Sequence, residues 1–541
     1  MGIYLVPGSH PACMGQSRTC SIQVFGWGRR IWNEKIASDQ ISIPFARLVT
    51  NIQVSSSSFF AWFLEMEGSA SRIAILSDII ASNTAKLDKY LQINKISQPS
   101  LDENCLDSLN LPRDIHEARA AIVDATLELR LICLGPREAL YSRRAHELVS
   151  LHFVSSFDVP SLVPVSGSAT FAEIASQCQP PVSKEIVKRL LRHSMTGGVF
   201  KEHENGVVSH TASSRLMAED SNIRDWVKLE LDGVWGMAAN IVPAMKKWPD
   251  SSDPRHTAFS LAAGTPVPFY EAIGHNIELA KRFGSALVAE EARFGLSPKH
   301  LFTIYPWLTL PHSSIIVDIG GSTGNVSLGL ASALPDRKLK FVVQDRKEVI
   351  SLVDQTAVLA NLKSGVETFV EFMEHDFFKP QLVKCADVYL LRLILHNWSD
   401  NDCLRILRNL VPALKHGSKI LVNEIVMPDW RDMECKKSES NIRLMDIFML
   451  MLFNSQERDL KGWQELFTKA DPRYCFNSIK RSPESFLSVI EFVWGGEADS
   501  QRITYSDDMS QEHAKEEAVE SSFVQRETDY GGKSIEDLFA L

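Results

Sequence analysis

Short apolar runs alternate with segments of helical periodicity over residues 301–495. The apolar runs predict strands at Ser314–Asp318, Leu339–Asp345, Val366–Asp376, Asp387–Leu395 and Lys419–Val426. Such alternation is typical of an α/β domain, in which a mostly parallel sheet is covered by helices on both faces. Two further runs, Tyr474–Arg481 and Phe486–Trp494, flank a Ser-Pro-Glu-Ser turn. They predict an antiparallel hairpin at the edge of the same sheet.

The preceding residues, 116–300, have mostly helical patterning. A helix is predicted to begin at Phe171, and a second one to be capped by Ser183. Two glycine-flanked apolar pieces at 197–200 and 206–208 then predict short strands around a turn. Helix, turn, helix and hairpin is the order of a winged-helix unit. The second helix carries a few basic side chains, but no larger basic surface surrounds them. A scaffold or dimerisation role is therefore expected rather than DNA binding.

These patterns divide the chain into four segments. Residues 1–65 mix Gly, Pro and Ser with isolated aromatics, which predicts a poorly structured extension, with Met66 a candidate native start. Residues 66–300 are expected to be the helical region with the winged-helix unit, and residues 301–496 the Rossmann-like α/β domain. The acidic stretch 497–541 has the composition of a disordered tail.

Composition narrows the class of protein. Hydrophobic residues make up 45% and charged residues 23% of the chain, as in ordinary globular proteins. The net charge is −10, of which −8 lies in residues 497–541, so the near-neutral body predicts no nucleic-acid or anionic membrane partner. Nine cysteines without a CxxC pair favour reduced thiols and no metal site. With no membrane span or secretory signal in the pattern, a cytoplasmic protein is expected.

The sharpest local motif is Ile-Ile-Val-Asp-Ile-Gly-Gly-Ser-Thr-Gly, which ends at Gly324. An apolar strand enters a turn containing Gly320 and Gly321, and a helix is predicted to begin near Asn325. Glycines let a backbone turn tightly and approach a ligand closely, so a nucleotide-like ligand is expected at the carboxyl ends of the strands. The alternative is an ordinary strand-to-helix turn. The dinucleotide pattern GxGxxG is not met from Gly320, which disfavours a nicotinamide-dependent oxidoreductase.

Carboxylates end the next two predicted strands. Asp345 could accept hydrogen bonds from the two hydroxyls of a ribose. Asp376 is followed by Phe377, a pair that suits an adenine amino group and its flat face. Together with Asp318, they put three acidic strand ends around one glycine turn, which favours a cofactor site over a structural coincidence.

A histidine follows the fourth predicted strand, in Leu-His-Asn-Trp-Ser-Asp. His396 is expected at the carboxyl end of a central strand, beside the cofactor crevice, where a pKa near 6.5 lets it take a proton. The alternative is a hydrogen-bonded structural histidine. Glu424 interrupts an apolar strand and needs a partner, and Glu457 lies in a later loop. Either carboxylate could orient the ring and stabilise its protonated form, which favours a general base.

Together these motifs resemble the plant caffeic-acid and flavonoid O-methyltransferase family, and more closely the fungal secondary-metabolite O-methyltransferases of the sterigmatocystin type. The resemblance spans roughly Met66 to Trp494 and rests on Val-Asp-Ile-Gly-Gly-Ser-Thr-Gly, Leu-Arg-Leu-Ile-Leu-His-Asn-Trp-Ser-Asp, Asn-Glu and Gln-Glu-Arg-Asp. It implies a class I methyltransferase sheet, S-adenosyl-L-methionine as cofactor, and a homodimer formed through the winged-helix domain.

The resemblance also assigns residues to roles. His396 becomes the base, flanked by Glu424 and Glu457. The cofactor would be held by Asp318, Gly320, Gly321, Gly324, Asp345, Asp376, Phe377 and Arg392. The acceptor pocket would be lined by Trp235, Phe269, Phe283, Met449 and Leu450.

The chemistry of methyl transfer restricts the acceptor. The protein must hold an oxygen about 3 Å from the methyl carbon and deprotonate it. A phenol, with a pKa near 10, is within reach of a histidine base, whereas an aliphatic alcohol is much harder to ionise. A small aromatic, phenolic substrate is therefore expected. The remaining alternative is a winged-helix regulator with a degenerate methyltransferase fold, which retention of His396, Glu424 and Glu457 disfavours.

Overall fold

The computed structural model describes residues 70–107, 109, 111–264, 267–274, 276–351, 353, 369–429, 436–482 and 485–495. The extension predicted at 1–65, its candidate start at Met66 and the acidic tail from 497 lie outside the described residues. No helix in the described part of the chain is long and apolar enough to span a membrane.

The N-terminal region is mainly helical, as predicted. Its helices are α1 (Arg72–Ile93), α2 (Arg113–Tyr141), α3 (Val149–Ser156), α4 (Val159–Leu162), α5 (Phe171–Gln177), α6 (Lys184–Thr196), α7 (Ala212–Glu219), α8 (Ser221–Leu229), α9 (Trp235–Lys247), α10 (Ala258–Ala263), α11 (Phe269–Gly274), α12 (Ile277–Phe294) and α13 (Pro298–Ile304). Helix α2 is kinked where Gly135 leaves helical geometry before Pro136. A π-helical turn, Glu230–Val234, joins α8 to α9.

A small antiparallel sheet accompanies α5 and α6. Its strands β1 (Ser168–Thr170), β2 (Lys201–Glu204) and β3 (Val207–Ser209) are ordered β1-β3-β2. The Ser183 hydroxyl accepts a hydrogen bond from the Ile186 N–H and caps α6. The predicted order of helix, turn, helix and hairpin is thus confirmed, with β1 as an additional strand. The first strand of the hairpin was predicted too early, because Gly198 and Phe200 adopt left-handed φ values of 79° and 67°, and β2 begins only at Lys201. Its role in dimerisation stays a prediction.

The large sheet has the predicted mixture of directions. Its strands are β4 (Ile315–Ile319), β5 (Lys340–Asp345), β6 (Val370–Glu374), β7 (Val388–Arg392), β8 (Lys419–Met427), β9 (Arg458–Asp459), β10 (Tyr474–Arg481) and β11 (Leu487–Trp494). The order is β10-β11-β8-β7-β4-β5-β6, with β9 paired to β8. Strands β4 to β9 pair in parallel, and the β10–β11 hairpin is antiparallel.

Two of the predicted strands were too long. The third ends at Glu374, and the next residues form a turn in which the Asp376 carboxylate accepts a hydrogen bond from the Phe378 N–H. The fourth ends at Arg392, because Leu393 adopts a left-handed φ of 54° and takes the chain out of the sheet. His396 therefore lies in a 3₁₀ turn, Leu395–Asn397, beyond the strand end.

Both faces of the sheet are buried. In β8, Val422 packs into one core cluster with Tyr389 and Phe467, while its neighbour Leu421 packs into another cluster with Trp307. Helices cover the sheet: α14 (Asn325–Ala333), α15 (Lys347–Ile350), α16 (Asp400–Leu410), α17 (Lys436–Phe453) and α18 (Leu460–Ala470). Continuous apolar strands are the expected consequence of this double burial.

The strand order creates a crevice between two strands. From β4 the chain continues to β5 on one side, whereas β7 lies on the other side of β4. Ligands of open α/β sheets bind at such a switch point, outside the carboxyl ends of the strands. The glycine turn after β4 and the His396 turn after β7 are therefore neighbours.

Candidate active site

The glycine turn after β4 is packed tightly against the strands. Gly320 and Gly324 have left-handed φ values of 71° and 80°. The N–H groups of Gly320 and Gly321 both donate to the Gln344 carbonyl, at 2.7 and 3.0 Å. A Cβ on Gly321 would lie 2.7 Å from Cγ of Asp318. Glycine is thus required by conformation at two positions and by space at the third.

Asp318 lies beneath this turn. Its side chain is buried and accepts a hydrogen bond from the Ser327 hydroxyl at 2.6 Å. Burial raises the pKa of Asp318 to about 6, against the opposing effects of Ser327 and the Arg392 guanidinium. Its position is suited to supporting the turn from the strand side.

The carboxyl ends of β5 and β6 meet the glycine turn. One oxygen of Asp345 accepts from the Ser322 N–H at 2.9 Å, and the other accepts from the Arg346 N–H at 2.8 Å. The Asp345 carbonyl accepts from the His375 N–H. The Phe377 ring lies 3.9 Å from where a Cβ on Gly320 would be. The structure thus brings the predicted ribose and adenine residues around one turn.

Arg392 ends β7 on the opposite side of the crevice. Its Nε donates to the Asn423 side-chain oxygen at 3.0 Å, and an Nη donates to the Leu296 carbonyl. Burial lowers the pKa of Arg392, an effect opposed by Glu291, Asp318 and Glu424. Arg392 therefore joins β7 to β8 and to the loop before α13.

The 3₁₀ turn that carries His396 is fixed by two buried carboxylates. One oxygen of Glu424 accepts from the N–H groups of Ile394 and Leu395 at 2.8 and 2.9 Å, which explains a carboxylate within an apolar strand. Its other oxygen lies 3.8 Å from Nδ1 of His396. Nδ1 donates to Glu457 at 2.8 Å. With Nδ1 engaged, Nε2 is the nitrogen available for a substrate proton.

The electrostatics of this cluster favour a charged imidazole. Burial alone lowers the pKa of His396, but the carboxylates of Glu424 and Glu457 outweigh it and raise the pKa to about 9. Burial also raises the pKa of Glu424, against the effect of His396. At neutral pH the imidazolium is therefore the favoured form. The site thus stabilises the product of proton transfer, an imidazolium held between two carboxylates.

The predicted acceptor-lining residues are only partly brought together. Phe269, Phe283 and Met449 belong to one apolar cluster, in which the Phe269 ring lies 5.2 Å from Phe283. Helix α17 carries Met449 and contacts both β8 and the His396 turn, so this cluster adjoins the base. Leu450 is exposed, and Trp235 packs edge-on against His152 instead. Neither belongs to the cluster.

Three residues that sequence analysis gave no role also hold the site. The Ser455 hydroxyl donates to the His396 carbonyl, and the Asp446 carboxylate accepts from the Glu457 N–H at 2.8 Å. Arg458 is buried and bonds to the turn on both sides of His396. The only sequence signal was a cation beside an acid in Gln-Glu-Arg-Asp. Within the described residues, no group of His, Cys, Asp and Glu could hold a metal ion.

Comparison with known proteins is consistent with this geometry. Residues 248–472 match the family model of the O-methyltransferase domain. O-methyltransferase kk1A of Curvularia clavata is 36% identical over 433 residues, covering 79% of this chain and 99% of that protein. The chlorophenol O-methyltransferase of Trichoderma longibrachiatum is 34% identical over 434 residues, covering 79% of this chain and 91% of that protein.

Solved structures share the fold. OxaC in complex with sinefungin and meleagrin has a TM-score of 0.58 at 22% identity, over 76% of this chain and 98% of that one. LepI in complex with S-adenosylmethionine has a TM-score of 0.57 at 21% identity, over 76% of this chain and 99% of that one. With its glycine turn, acidic strand ends and buried histidine, this chain belongs to the O-methyltransferase family and is an S-adenosyl-L-methionine-dependent O-methyltransferase of secondary-metabolite biosynthesis.

Proposed function

We propose that the protein methylates a phenolic hydroxyl of a small aromatic secondary metabolite, with His396 as the general base. The observation that carries this proposal is the pair of carboxylates at one ring nitrogen: Nδ1 lies 2.8 Å from Glu457 and 3.8 Å from Glu424. Two buried acids at Nδ1 stabilise the positive charge that forms when a proton arrives at the other nitrogen.

The side chains present fit the cofactor. When bound, S-adenosylmethionine supplies the sulfonium methyl group. Asp345 would accept hydrogen bonds from the ribose hydroxyls, and Asp376 with Phe377 would hold the adenine. Gly320 and Gly324 keep the turn in a left-handed path that only glycine adopts freely.

On the acceptor side, His396 takes the phenolic proton at Nε2 while Nδ1 donates to Glu457. Glu424 holds the turn by accepting the Ile394 and Leu395 N–H groups. The imidazolium formed is stabilised by both carboxylates, which lowers the cost of ionising an acceptor whose own pKa is near 10. The site keeps most water from the imidazole, since the side chain of His396 is only 9% exposed.

An aromatic acceptor is supported by the surroundings of the base. The cluster beside the His396 turn is rich in Phe and Met, including Phe259, Phe269, Phe453 and Met449. Such side chains bind flat apolar molecules well. A relative of this chain is named a chlorophenol O-methyltransferase and another belongs to the grayanic acid biosynthesis cluster, so a phenolic acceptor is the natural first choice.

A homodimer is part of the proposal. Helices α1 and α2 pack on each other yet leave apolar side chains exposed, among them Ile73, Leu131, Ile132, Leu140 and Tyr141. Burying them in a second copy would be favourable. Light scattering is expected to report twice the chain mass of 60.6 kDa; a mass of one chain would contradict the homodimer.

The experiment combines a substrate panel with one variant. Labelled S-adenosylmethionine is offered with phenolic polyketides and chlorinated phenols, and products are identified by mass spectrometry. His396→Ala is expected to lower turnover at least about 100-fold, since general bases contribute that much or more. Its affinity for S-adenosylmethionine, measured by calorimetry, should stay within about threefold. The exposed His416 provides the control, His416→Ala.

Two outcomes would contradict the proposal. Turnover that survives in His396→Ala would show that another group is the base. Tight cofactor binding by the wild type with no methylated product from any phenol would show that the acceptor is not a phenol.

A further inference from the structure

The short segment from Ser455 to Arg458 makes several hydrogen bonds to the turn that carries His396. The Ser455 hydroxyl donates to the carbonyl of His396 itself. Arg458 donates through Nη1 to the Leu395 carbonyl at 3.3 Å and through Nη2 to the Trp398 carbonyl at 3.1 Å. The catalytic turn is therefore held on both sides of the histidine by one guanidinium.

Arg458 is itself firmly placed. It pairs with Val426 in the β8–β9 register, two residues beyond Glu424 on β8. Its side chain is 3% exposed, and its guanidinium lies 5.2 Å from the centre of the Trp463 ring. The rigid fork of an arginine can serve two carbonyls and a carboxylate at once, which the single ammonium of a lysine cannot do with the same geometry.

A simple ion pair does not account for this arrangement. Nη2 of Arg458 lies 2.7 Å from Asp400, whose side chain is 53% exposed. An ion pair with so exposed a partner contributes little. The bonds to Leu395 and Trp398 are different, because they act on the peptides that flank His396.

We propose that Arg458 is a positioning residue for methyl transfer, which fastens the 395–400 turn to the 455–458 segment and thereby fixes the His396 ring on Glu457. This inference rests on the proposed role of His396 as the base. Glu457 precedes Arg458 directly, so the residue that accepts the Nδ1 hydrogen bond and the residue that holds the turn move as one unit. A displacement of about 1 Å in such a site costs about 100-fold in rate.

The guanidinium also has an electrostatic effect. The charged groups that face His396 are Glu424 from β8, and Glu457 and Arg458 from the segment at β9. Arg458 lowers the pKa of His396 and so opposes the two carboxylates. Charge and geometry can be separated, because a lysine keeps the charge and loses the fork, whereas a methionine loses both.

The test compares Arg458→Lys and Arg458→Met with Arg408→Lys. Arg408 is a matched control, since it also donates to two backbone carbonyls, those of Lys469 and Ala470, but these lie on α18. Turnover is measured against pH with the phenol that the wild type methylates best. The pKa of His396 is measured by ¹⁵N-histidine NMR, with the resonance assigned by its absence in His396→Ala.

Arg458→Lys is expected to lower kcat about 10- to 100-fold. The acceptor KM and the cofactor Kd should stay within about threefold of wild type. The midpoint of the pH profile should not change, because the lysine keeps the positive charge. Arg458→Met should lose at least as much kcat and move that midpoint to higher pH. Arg408→Lys should behave as wild type. An Arg458→Lys enzyme with kcat within twofold of wild type would overturn the proposal, as would a parallel loss of cofactor affinity, which indicates general damage.

Asp400→Asn keeps the test decisive if neither Arg458 variant folds. The amide oxygen can still accept from Arg458, so the substitution removes only the charge of the exposed partner and leaves the bonds to Leu395 and Trp398 in place. Its kcat and cofactor Kd should stay within about twofold of wild type; a kcat lowered about tenfold or more would show that the ion pair, rather than the bonds to the turn, holds the site, and would refute the proposal. If the wild type methylates no phenol, the proposed function fails. The NMR comparison then still decides on the proposal, because Arg458→Lys keeps the charge and loses the fork. An Nδ1 resonance of His396 that is the same in wild type and Arg458→Lys would refute the proposal, since the ring would still be held on Glu457.

Discussion

Replacing Glu457 by Gln isolates the charge that the site places on His396. In the native enzyme Nδ1 donates to the Glu457 carboxylate at 2.8 Å, and a second carboxylate, Glu424, lies at 3.8 Å. The amide has the same shape and can still accept the Nδ1 hydrogen bond through its oxygen. The substitution therefore removes one of two negative charges and leaves the geometry nearly intact.

The size of the effect follows from Coulomb's law. Two unit charges about 4 Å apart interact by about 4 kcal/mol at an effective dielectric constant of 20. Since about 1.4 kcal/mol corresponds to one pH unit, the loss of Glu457 should lower the pKa of His396 from about 9 by about two pH units or more. Burial continues to oppose the charged ring, and only Glu424 remains to support it.

The pH profile of kcat should change in two ways. The neutral ring is the base, so in the wild type kcat should rise with pH through a midpoint near 9. In Glu457→Gln the rise should be complete at lower pH. Its plateau should be lower by about 100-fold or more, because the imidazolium that forms in the transition state has lost an anionic partner.

The assay is labelled methyl transfer between pH 6 and pH 10 at saturating cofactor, with the His396 pKa read in parallel by NMR. Glu465 on α18 is a suitable control, since Glu465→Gln removes a half-exposed carboxylate away from the site. A Glu457→Gln enzyme whose midpoint stays near 9 would refute the reasoning. It would mean that the charge of Glu457 does not set the proton affinity of the ring.

Two further predictions concern cofactor binding and stability. Gly321→Ala should weaken S-adenosylmethionine binding at least about tenfold, because its Cβ would lie 2.7 Å from Asp318 and force the turn to move. The affinity is measured by calorimetry. The control is Gly236→Ala, which has open space around its Cβ and should bind S-adenosylmethionine as the wild type does. Phe467→Ala should lower the unfolding free energy by about 3–5 kcal/mol in denaturant melts, since its fully buried ring stacks on Phe492. The exposed Leu382 gives the control, Leu382→Ala, with a change under about 0.5 kcal/mol.

The sheet was predictable because its strands are buried on both faces. Val422 and Leu421 point to opposite sides of the sheet, and each packs into an apolar core cluster. The strand therefore carries apolar residues at successive positions in the sequence, which distinguishes it from the amphipathic helices. The strand end of β7 was not predictable in the same way. Leu393 is as apolar as Leu390 and Leu391 before it, and its left-handed φ leads into the Ile394 and Leu395 N–H groups, whose hydrogen bonds the Glu424 carboxylate accepts.

The base was easier to predict than the pocket it serves. His396, Glu424 and Glu457 are rare residue types in apolar surroundings, and each needs a partner when buried. The acceptor residues are ordinary apolar side chains, for which pocket and core look alike in sequence. Met449 packs into the apolar cluster and Leu450 is exposed, although the two are neighbours on one helix with similar side chains. Arg458 was overlooked because its partners are backbone carbonyls, which a sequence does not distinguish.

The glycines of the turn have a different purpose from the one that their pattern indicates. The pattern predicts space for a close approach of the ligand. In the structure, protein atoms occupy the positions where side chains would begin: a Cβ on Gly320 would lie 2.5 Å from Cδ1 of Ile394, and one on Gly324 would lie 3.0 Å from the Phe372 ring. Ile394 belongs to the chain that leads into His396, and its N–H is held by Glu424. The cofactor turn and the base turn therefore pack directly on one another, and a side chain at residue 320 would displace the base together with the methyl donor.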